Sequence, residues 1–108
     1  MAFFLVHYSH PDEQGWKRYL EPHLDWLLAR VDDGSLVASG PAVDTGTRSA
    51  LLLFRGTDRD AVRAILDTDP FMIEDQVADL SITEWDPIFG TFHDQSTQAH
   101  VPMPQIGR

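Results

Sequence analysis

The order in which short apolar segments and helical segments alternate is the feature that most constrains the fold of this chain. Strands are predicted at residues 3–8, 35–39, 49–54 and 78–85. Helical spacing of apolar residues fills 12–33, between the first two strands, and 58–67, between the last two. The order β-α-β-β-α-β, with right-handed crossovers, places both helices on one face of a four-stranded antiparallel sheet. The sequence therefore predicts an α+β domain whose sheet keeps its other face open.

The first helical segment carries two stripes of large side chains. The apolar stripe is predicted to face the core and consists of Leu20, Leu24, Leu27, Leu28 and Val31. A second stripe, displaced by about 90°, consists of Trp16, Tyr19, His23, Trp26 and Arg30. Pro22 lacks a backbone N–H, so the helix is expected to kink or to restart there. Gly34 is the expected C-terminal cap.

The second stripe is either packing material or one wall of a pocket. Large amphipathic side chains commonly cover the shoulder of a domain or a subunit contact. In the pocket interpretation His23 carries a proton, because an imidazole gains and loses one near neutral pH. A carboxylate would then orient the ring and stabilise its charged form. Asp69 is favoured slightly over Asp32 and Asp33, which lie some 15 Å further along the helix.

Charge and composition exclude several classes of function. Seventeen acidic residues against eight basic ones give a net charge of -9, which repels nucleic-acid phosphates. No segment approaches the roughly 18 apolar residues of a membrane span, and the absence of cysteine makes the cytoplasm the expected location. The sequence has no paired-histidine metal spacing and no glycine-rich nucleotide-binding loop. We therefore predict no metal and no cofactor.

Several short motifs, in their order and spacing over residues 3–90, resemble the YCII-related family. They are Tyr19, Pro22-His23-Leu24, Asp33-Gly34-Ser35-Leu36, Gly40-Pro41, Asp69-Pro70-Phe71 and a closing strand that ends near Trp85. The resemblance implies a ferredoxin-like fold, half of a dimeric α/β barrel, in which two copies pair through their open sheet faces. It also implies a catalytic histidine and aspartate, here His23 with Asp69 or Asp33. Residues 91–108 are expected to form a tail that is loose or wraps the partner.

The leading functional hypothesis is a cofactor-free lyase or isomerase acting on a small cyclic or aromatic metabolite. Dehydrochlorinases and muconolactone isomerases share the fold that the resemblance implies. The candidate substrate-binding residues come from the second stripe and from the matched motifs, and are Trp16, Tyr19, Trp26, Arg30, Gly40, Pro41 and Phe71. The aromatic side chains would contact the ring, and Arg30 would offset an anionic oxygen. The alternatives are a non-catalytic dimeric binding module and an oxygen-dependent monooxygenase without cofactor.

Overall fold

A four-stranded antiparallel sheet forms the scaffold of the protein, for which the computed structural model describes all 108 residues. The strands are β1 (Ala2–Ser9), β2 (Leu36–Pro41), β3 (Ser49–Gly56) and β4 (Ala78–Trp85). Their order in the sheet is β2-β3-β1-β4, and every neighbouring pair is antiparallel. The two most apolar strands, β1 and β3, lie in the interior, where both of their edges are hydrogen-bonded. The predicted α+β, ferredoxin-like fold is confirmed.

Three helices accompany the sheet, and the N-cap residue just before each helix is an aspartate. They are α1 (Glu13–Asp32), α2 (Arg59–Leu66) and the short α3 (Pro70–Ile73). The side chains of Asp12 and Asp58 accept hydrogen bonds from the backbone N–H groups of Gly15 and Ala61. These bonds cap the N-termini of α1 and α2. The sequence predicted the end of α2 before Asp69-Pro70, but it did not predict that α3 begins there.

The buried side of α1 differs from the predicted one. Trp26 and His23 are buried against the sheet and α3, with 8% and 6% of their surface exposed. Three of the five residues of the predicted core stripe are exposed to solvent: Leu24, Leu28 and Val31 have 45%, 67% and 54% of their surface exposed. The reversal has a polar cause, because the indole Nε1 of Trp26 donates to Thr68 Oγ1 at 2.8 Å and His23 also has a buried partner. Both partners lie in the connection between α2 and α3, so the buried side of α1 is the one whose polar atoms find partners in that connection.

Two predictions concern prolines. Helix α1 continues through Pro22 to Asp32, so the predicted restart is wrong, while the alternative of a kink at Pro22 stays a prediction. Strand β2 also does not stop at residue 39, because Gly40 and Pro41 pair with Leu51 and Ala50 of β3. A proline is compatible with this position because β2 is an edge strand, where one side of the backbone has no ladder to maintain.

The core lies between the helices and one face of the sheet. Its buried side chains are Phe4, Val6, Tyr8, Trp26, Leu36, Leu52, Phe54, Val62, Leu66 and Ile82. Alternate residues point to the opposite face, where Leu5 and Leu51 are 36% and 51% exposed. Part of the C-terminal tail folds back on this face, since the ring of Phe92 packs against Phe3 at 5.2 Å between centroids. None of the helices is both long enough and apolar enough to cross a membrane.

Candidate functional site

A buried histidine and aspartate meet where α1 packs against the start of α3. His23 Nδ1 lies 2.8 Å from Asp69 Oδ1, and the Asp69 side chain has no exposed surface. Helix α1 positions the histidine. The aspartate is held at the N-terminal cap of α3, where Oδ1 also accepts the Phe71 N–H at 2.9 Å. The two residues are 46 positions apart in the sequence.

Asp69 acts only as an acceptor in this arrangement. Its second oxygen, Oδ2, lies 3.0 Å from the hydroxyl of Tyr8, which comes from β1. Burial raises the pKa of the Tyr8 hydroxyl well above its ordinary value, and the charge and hydrogen bond of Asp69 raise it further. Tyr8 therefore stays protonated and donates. Three donors thus surround the carboxylate, which is how a buried charge is stabilised.

The tautomer of His23 follows from these contacts. Because Asp69 is the acceptor, Nδ1 of the imidazole carries the shared hydrogen, and the neutral ring keeps its lone pair on Nε2. Nε2 has no partner within the protein and is not sealed from solvent. The ring is held in place by Phe71, which stacks on it at 4.0 Å between centroids and an interplanar angle of 18°. In the neutral ring, Nε2 is therefore the nitrogen that can accept a proton.

A cavity of about 210 Å³ lies beside this ring. It opens between α1, the ends of β1 and β2, the start of β3 and α3. Its apolar wall is formed by Trp16, Leu20, Leu24, Leu27, Pro41, Ala50, Leu52 and Phe71. Its polar positions are Tyr8, His10, His23, Ser39, Arg48 and Ser49, with Gly40 completing the lining. A cavity of this kind, apolar with a few convergent polar groups, is typical of small-molecule sites.

Two further charged or titratable groups belong to the cavity. Nδ1 of His10 lies 2.8 Å from the carbonyl oxygen of Gln76, and the residue is only 3% exposed. Arg48 lies with its guanidinium carbon 3.7 Å from the centroid of the Trp16 ring, and its Nε is 2.8 Å from Glu13 Oε2. The arginine is the one cation among the lining residues and is partly exposed, so it sits at the mouth.

The other predicted site residues lie elsewhere. Asp33 is exposed at the end of α1, where hydrogen bonds from the Ser35 hydroxyl and N–H lower its pKa, assisted by Arg30. It makes no contact with His23. Arg30 lies 2.9 Å from Asp33 and over Trp26, outside the cavity lining. Trp26 belongs to the core, and the half-buried Tyr19 is also not among the lining residues.

Of the predicted residues, the structure brings together His23, Asp69, Trp16, Gly40, Pro41 and Phe71. No group of three or more His, Asp or Glu side chains is arranged to hold a metal ion.

Residues 1–86 match the family model of the YCII-related domain. The chain belongs to the YCII-related family. No curated protein matches the chain significantly.

Two solved structures are similar in fold to this YCII-related protein. One is 5-chloro-2-hydroxyhydroquinone dehydrochlorinase (TftG) from Burkholderia phenoliruptrix, in complex with 2,5-dihydroxybenzoquinone. It has a TM-score of 0.66 and 18% identity, and the match covers 77% of this chain and 92% of that one. The other is Rv0793 from Mycobacterium tuberculosis, with a TM-score of 0.53 and 8% identity over 84% of this chain and 99% of that one. At such identities the similarity establishes the fold.

Sequence reasoning did not select five polar residues of this YCII-related site: Ser39 and Ser49, and three larger ones. Tyr8, His10 and Arg48 all come from the ends of β1 and β3, and no spacing rule connects them with His23. A signal was present for two of them, since Tyr8 and His10 are polar side chains at the end of a buried strand. Side chains of that kind need partners, and a strand end is where a site can supply them. Arg48 had no comparable signal.

Proposed function

We propose that this YCII-related protein is a cofactor-free enzyme that transfers a proton on a small ring compound, as a lyase or an isomerase. His23 is the base and Asp69 orients it. The observation that carries the proposal is the imidazole whose Nδ1 is held by a buried carboxylate while Nε2 is left without a protein partner beside a cavity.

The surroundings of Asp69 favour a catalytic role for the pair. When Nε2 takes a proton, the ring becomes a cation whose Nδ1–H still points at a carboxylate 2.8 Å away. That charge lowers the energy of the imidazolium and leaves the hydrogen bond in place. Tyr8 and the Phe71 N–H hold the carboxylate, so little reorganisation accompanies the transfer.

The size of the cavity favours a single ring as the substrate. An apolar cavity of about 150 Å³ is large enough for benzene, and this one measures about 210 Å³. It therefore accommodates one six-membered ring with small substituents. The structurally similar TftG, whose ligand is 2,5-dihydroxybenzoquinone, supports a ring of that size and polarity.

The reaction requires only a proton and an electron pair to be moved. Nε2 of His23 removes a proton from a ring C–H or O–H group, and the electron pair left behind enters the ring. In a lyase that pair expels an anionic leaving group, and the imidazolium then releases its proton. In an isomerase the imidazolium returns the proton to another atom of the ring. Either course restores the neutral base.

The test is turnover of a panel of ring compounds: chlorinated dihydroxybenzenes, trihydroxybenzenes and unsaturated lactones, followed by absorbance and by product mass. His23→Gln should reduce turnover of an accepted compound by at least about 100-fold. The matched control is His100→Gln, which changes an exposed histidine of the tail and should keep full activity. Equal turnover by His23→Gln and wild type would contradict the proposal. Saturable binding without any product would favour a binding module.

We also propose that two copies pair through the open sheet face. A shallow apolar groove crosses this face and is lined by Leu5, Ala38, Gly40, Leu51 and Leu53, among others. The docked tail covers Phe3 at one end and leaves Leu5 and Leu51 uncovered. A continuous apolar surface on a sheet is usually covered by another layer, which a second copy would supply.

We further propose a cytoplasmic location, with which a chain without cysteine is compatible.

A further inference from the structure

The cavity holds a second imidazole, that of His10, whose tautomer is fixed differently from that of His23. His10 follows directly after β1, and its backbone N–H donates to the carbonyl of Arg48 at 2.8 Å. Its Nδ1 lies 2.8 Å from the Gln76 carbonyl oxygen. A carbonyl can only accept, so Nδ1 carries the hydrogen and Nε2 carries the lone pair. Nε2 has no partner in the protein and is not sealed from solvent.

The two histidines are suited to different tasks. Burial lowers the pKa of His10, and the nearby His23 and Arg48 lower it further against the opposing effects of Gln76 and Asp69. His10 therefore remains neutral and accepts hydrogen bonds at neutral pH. His23 instead faces the Asp69 carboxylate at 2.8 Å. One ring is oriented by a carboxylate, and the other is suited to accept a hydrogen bond without taking a proton.

Both rings line the same cavity. The Phe71 ring contacts them both, at 4.0 Å from His23 and 4.7 Å from His10 between centroids. A ligand that fills this cavity beside His23 therefore also meets His10. The ligand needs a donor for each nitrogen, because a buried acceptor that a ligand desolvates without pairing weakens binding.

We propose that His10 determines substrate specificity: its Nε2 accepts a hydrogen bond from a hydroxyl group other than the one at which His23 acts. The inference rests on the proposed function and, where His23 acts on a ring hydroxyl, narrows its substrate class to single rings that carry at least two hydroxyl groups. Rings with one hydroxyl leave one of the two nitrogens unpaired. Phenol and the three benzenediols are the simplest probes of this difference, because they share a ring and differ in the number and position of hydroxyls.

The alternative is that His10 only ties the end of β1 to the loop at Gln76. Two substitutions separate these roles. His10→Asn keeps an amide N–H where Nδ1 is, and so keeps the bond to the Gln76 carbonyl, but it removes the acceptor at the position of Nε2. His10→Gln has a longer side chain, which can present its amide oxygen near that position. A structural role would be preserved best by the first, and a binding role best by the second.

The experiment measures dissociation constants of phenol and of each benzenediol by calorimetry for wild type and both variants. Wild type should bind at least one benzenediol roughly tenfold more tightly than phenol. His10→Asn should bring the dissociation constants of phenol and of the benzenediols together, because no ligand then leaves the His10 nitrogen unpaired, and His10→Gln should recover part of the preference. A preference that persists in His10→Asn, or that wild type never shows, would overturn the inference.

The two proposals fail separately. If His23→Gln loses turnover while His10→Asn keeps the benzenediol preference, the enzyme assignment stands and the role of His10 is wrong. If His10→Asn abolishes the preference but no ring compound is ever converted, His10 accepts a hydrogen bond from the ligand's hydroxyl in a site that binds ring compounds without catalysing a reaction.

Discussion

Removal of the Asp69 carboxylate should destabilise the protein far more than removal of any exposed acidic group. The Asp69→Ala variant leaves three buried donors without an acceptor: the Tyr8 hydroxyl, the His23 Nδ1–H and the Phe71 N–H. Each orphaned buried donor costs about 1–3 kcal/mol. Water entering from the cavity can satisfy some of these groups, so we expect a loss of about 3–6 kcal/mol in the free energy of unfolding. That is a large fraction of the roughly 5–15 kcal/mol typical of a domain.

If Asp69→Ala does not fold, the contribution of the Asp69 carboxylate to the free energy of unfolding can be measured with the Asp69→Asn variant. Its amide oxygen can retain both donors that Oδ1 holds, and its amide nitrogen can donate to the Tyr8 oxygen. The Tyr8 hydroxyl hydrogen then has no acceptor, which costs about 1–3 kcal/mol, and charge-assisted bonds exceed neutral ones by about 1–2 kcal/mol. The loss in the free energy of unfolding should be the sum of these costs, about 2–5 kcal/mol. Turnover of an accepted ring compound should fall with it, by about 100-fold or more, because the imidazolium loses its counter-charge.

The assay is urea denaturation followed by tryptophan fluorescence and by circular dichroism, with Asp33→Ala as the control. Asp33 is exposed and bonded only to its neighbours Ser35 and Arg30, so its removal should leave the midpoint close to that of wild type. The reasoning is refuted if Asp69→Ala loses less than about 1 kcal/mol. It is equally refuted if Asp33→Ala is as damaging as Asp69→Ala.

Three further predictions follow from other parts of the structure. Because burial lowers the pKa of His10 below its ordinary 6.5, the unfolded chain binds more protons as the pH falls through that value, and stability present above it is lost below it. His10→Gln should flatten this loss in urea titrations between about pH 7 and pH 5; stability that rises on acidification would contradict the sign. Gly56→Ala places a Cβ 2.7 Å from the buried Val62 Cγ2. The resulting overpacking should lower the free energy of unfolding by about 1–3 kcal/mol, which exceeds the stabilisation that alanine provides by restricting the unfolded chain. The control Gly46→Ala meets open space and should not lower the free energy of unfolding. Leu51→Lys should convert a sedimenting dimer to a monomer with an unchanged circular dichroism spectrum, and a monomeric wild type would exclude pairing through this face.

The outline of the fold could be predicted because it depends on local patterns. The alternation along residues 78–85 and the apolar run at 49–54 each identified a strand from its own residues. The N-cap of α2 is equally local, since the Asp58 carboxylate accepts a hydrogen bond from the N–H of Ala61, only three residues ahead. The buried side of α1 could not be predicted in this way. Hydrophobic spacing finds the most apolar stripe, which here includes the exposed Leu28.

By itself the sequence determined the order of strands and helices, the acidic charge, and the choice of His23 as the histidine to examine. These follow from residues near one another in the chain or from simple composition. Only the tertiary structure decided that Asp69 rather than Asp33 reaches His23, and that Tyr8 and His10 join them. The contacts span 46, 61 and 66 positions. A buried polar group takes whichever partner the packing brings within about 3 Å, and that choice is made when helix and sheet meet.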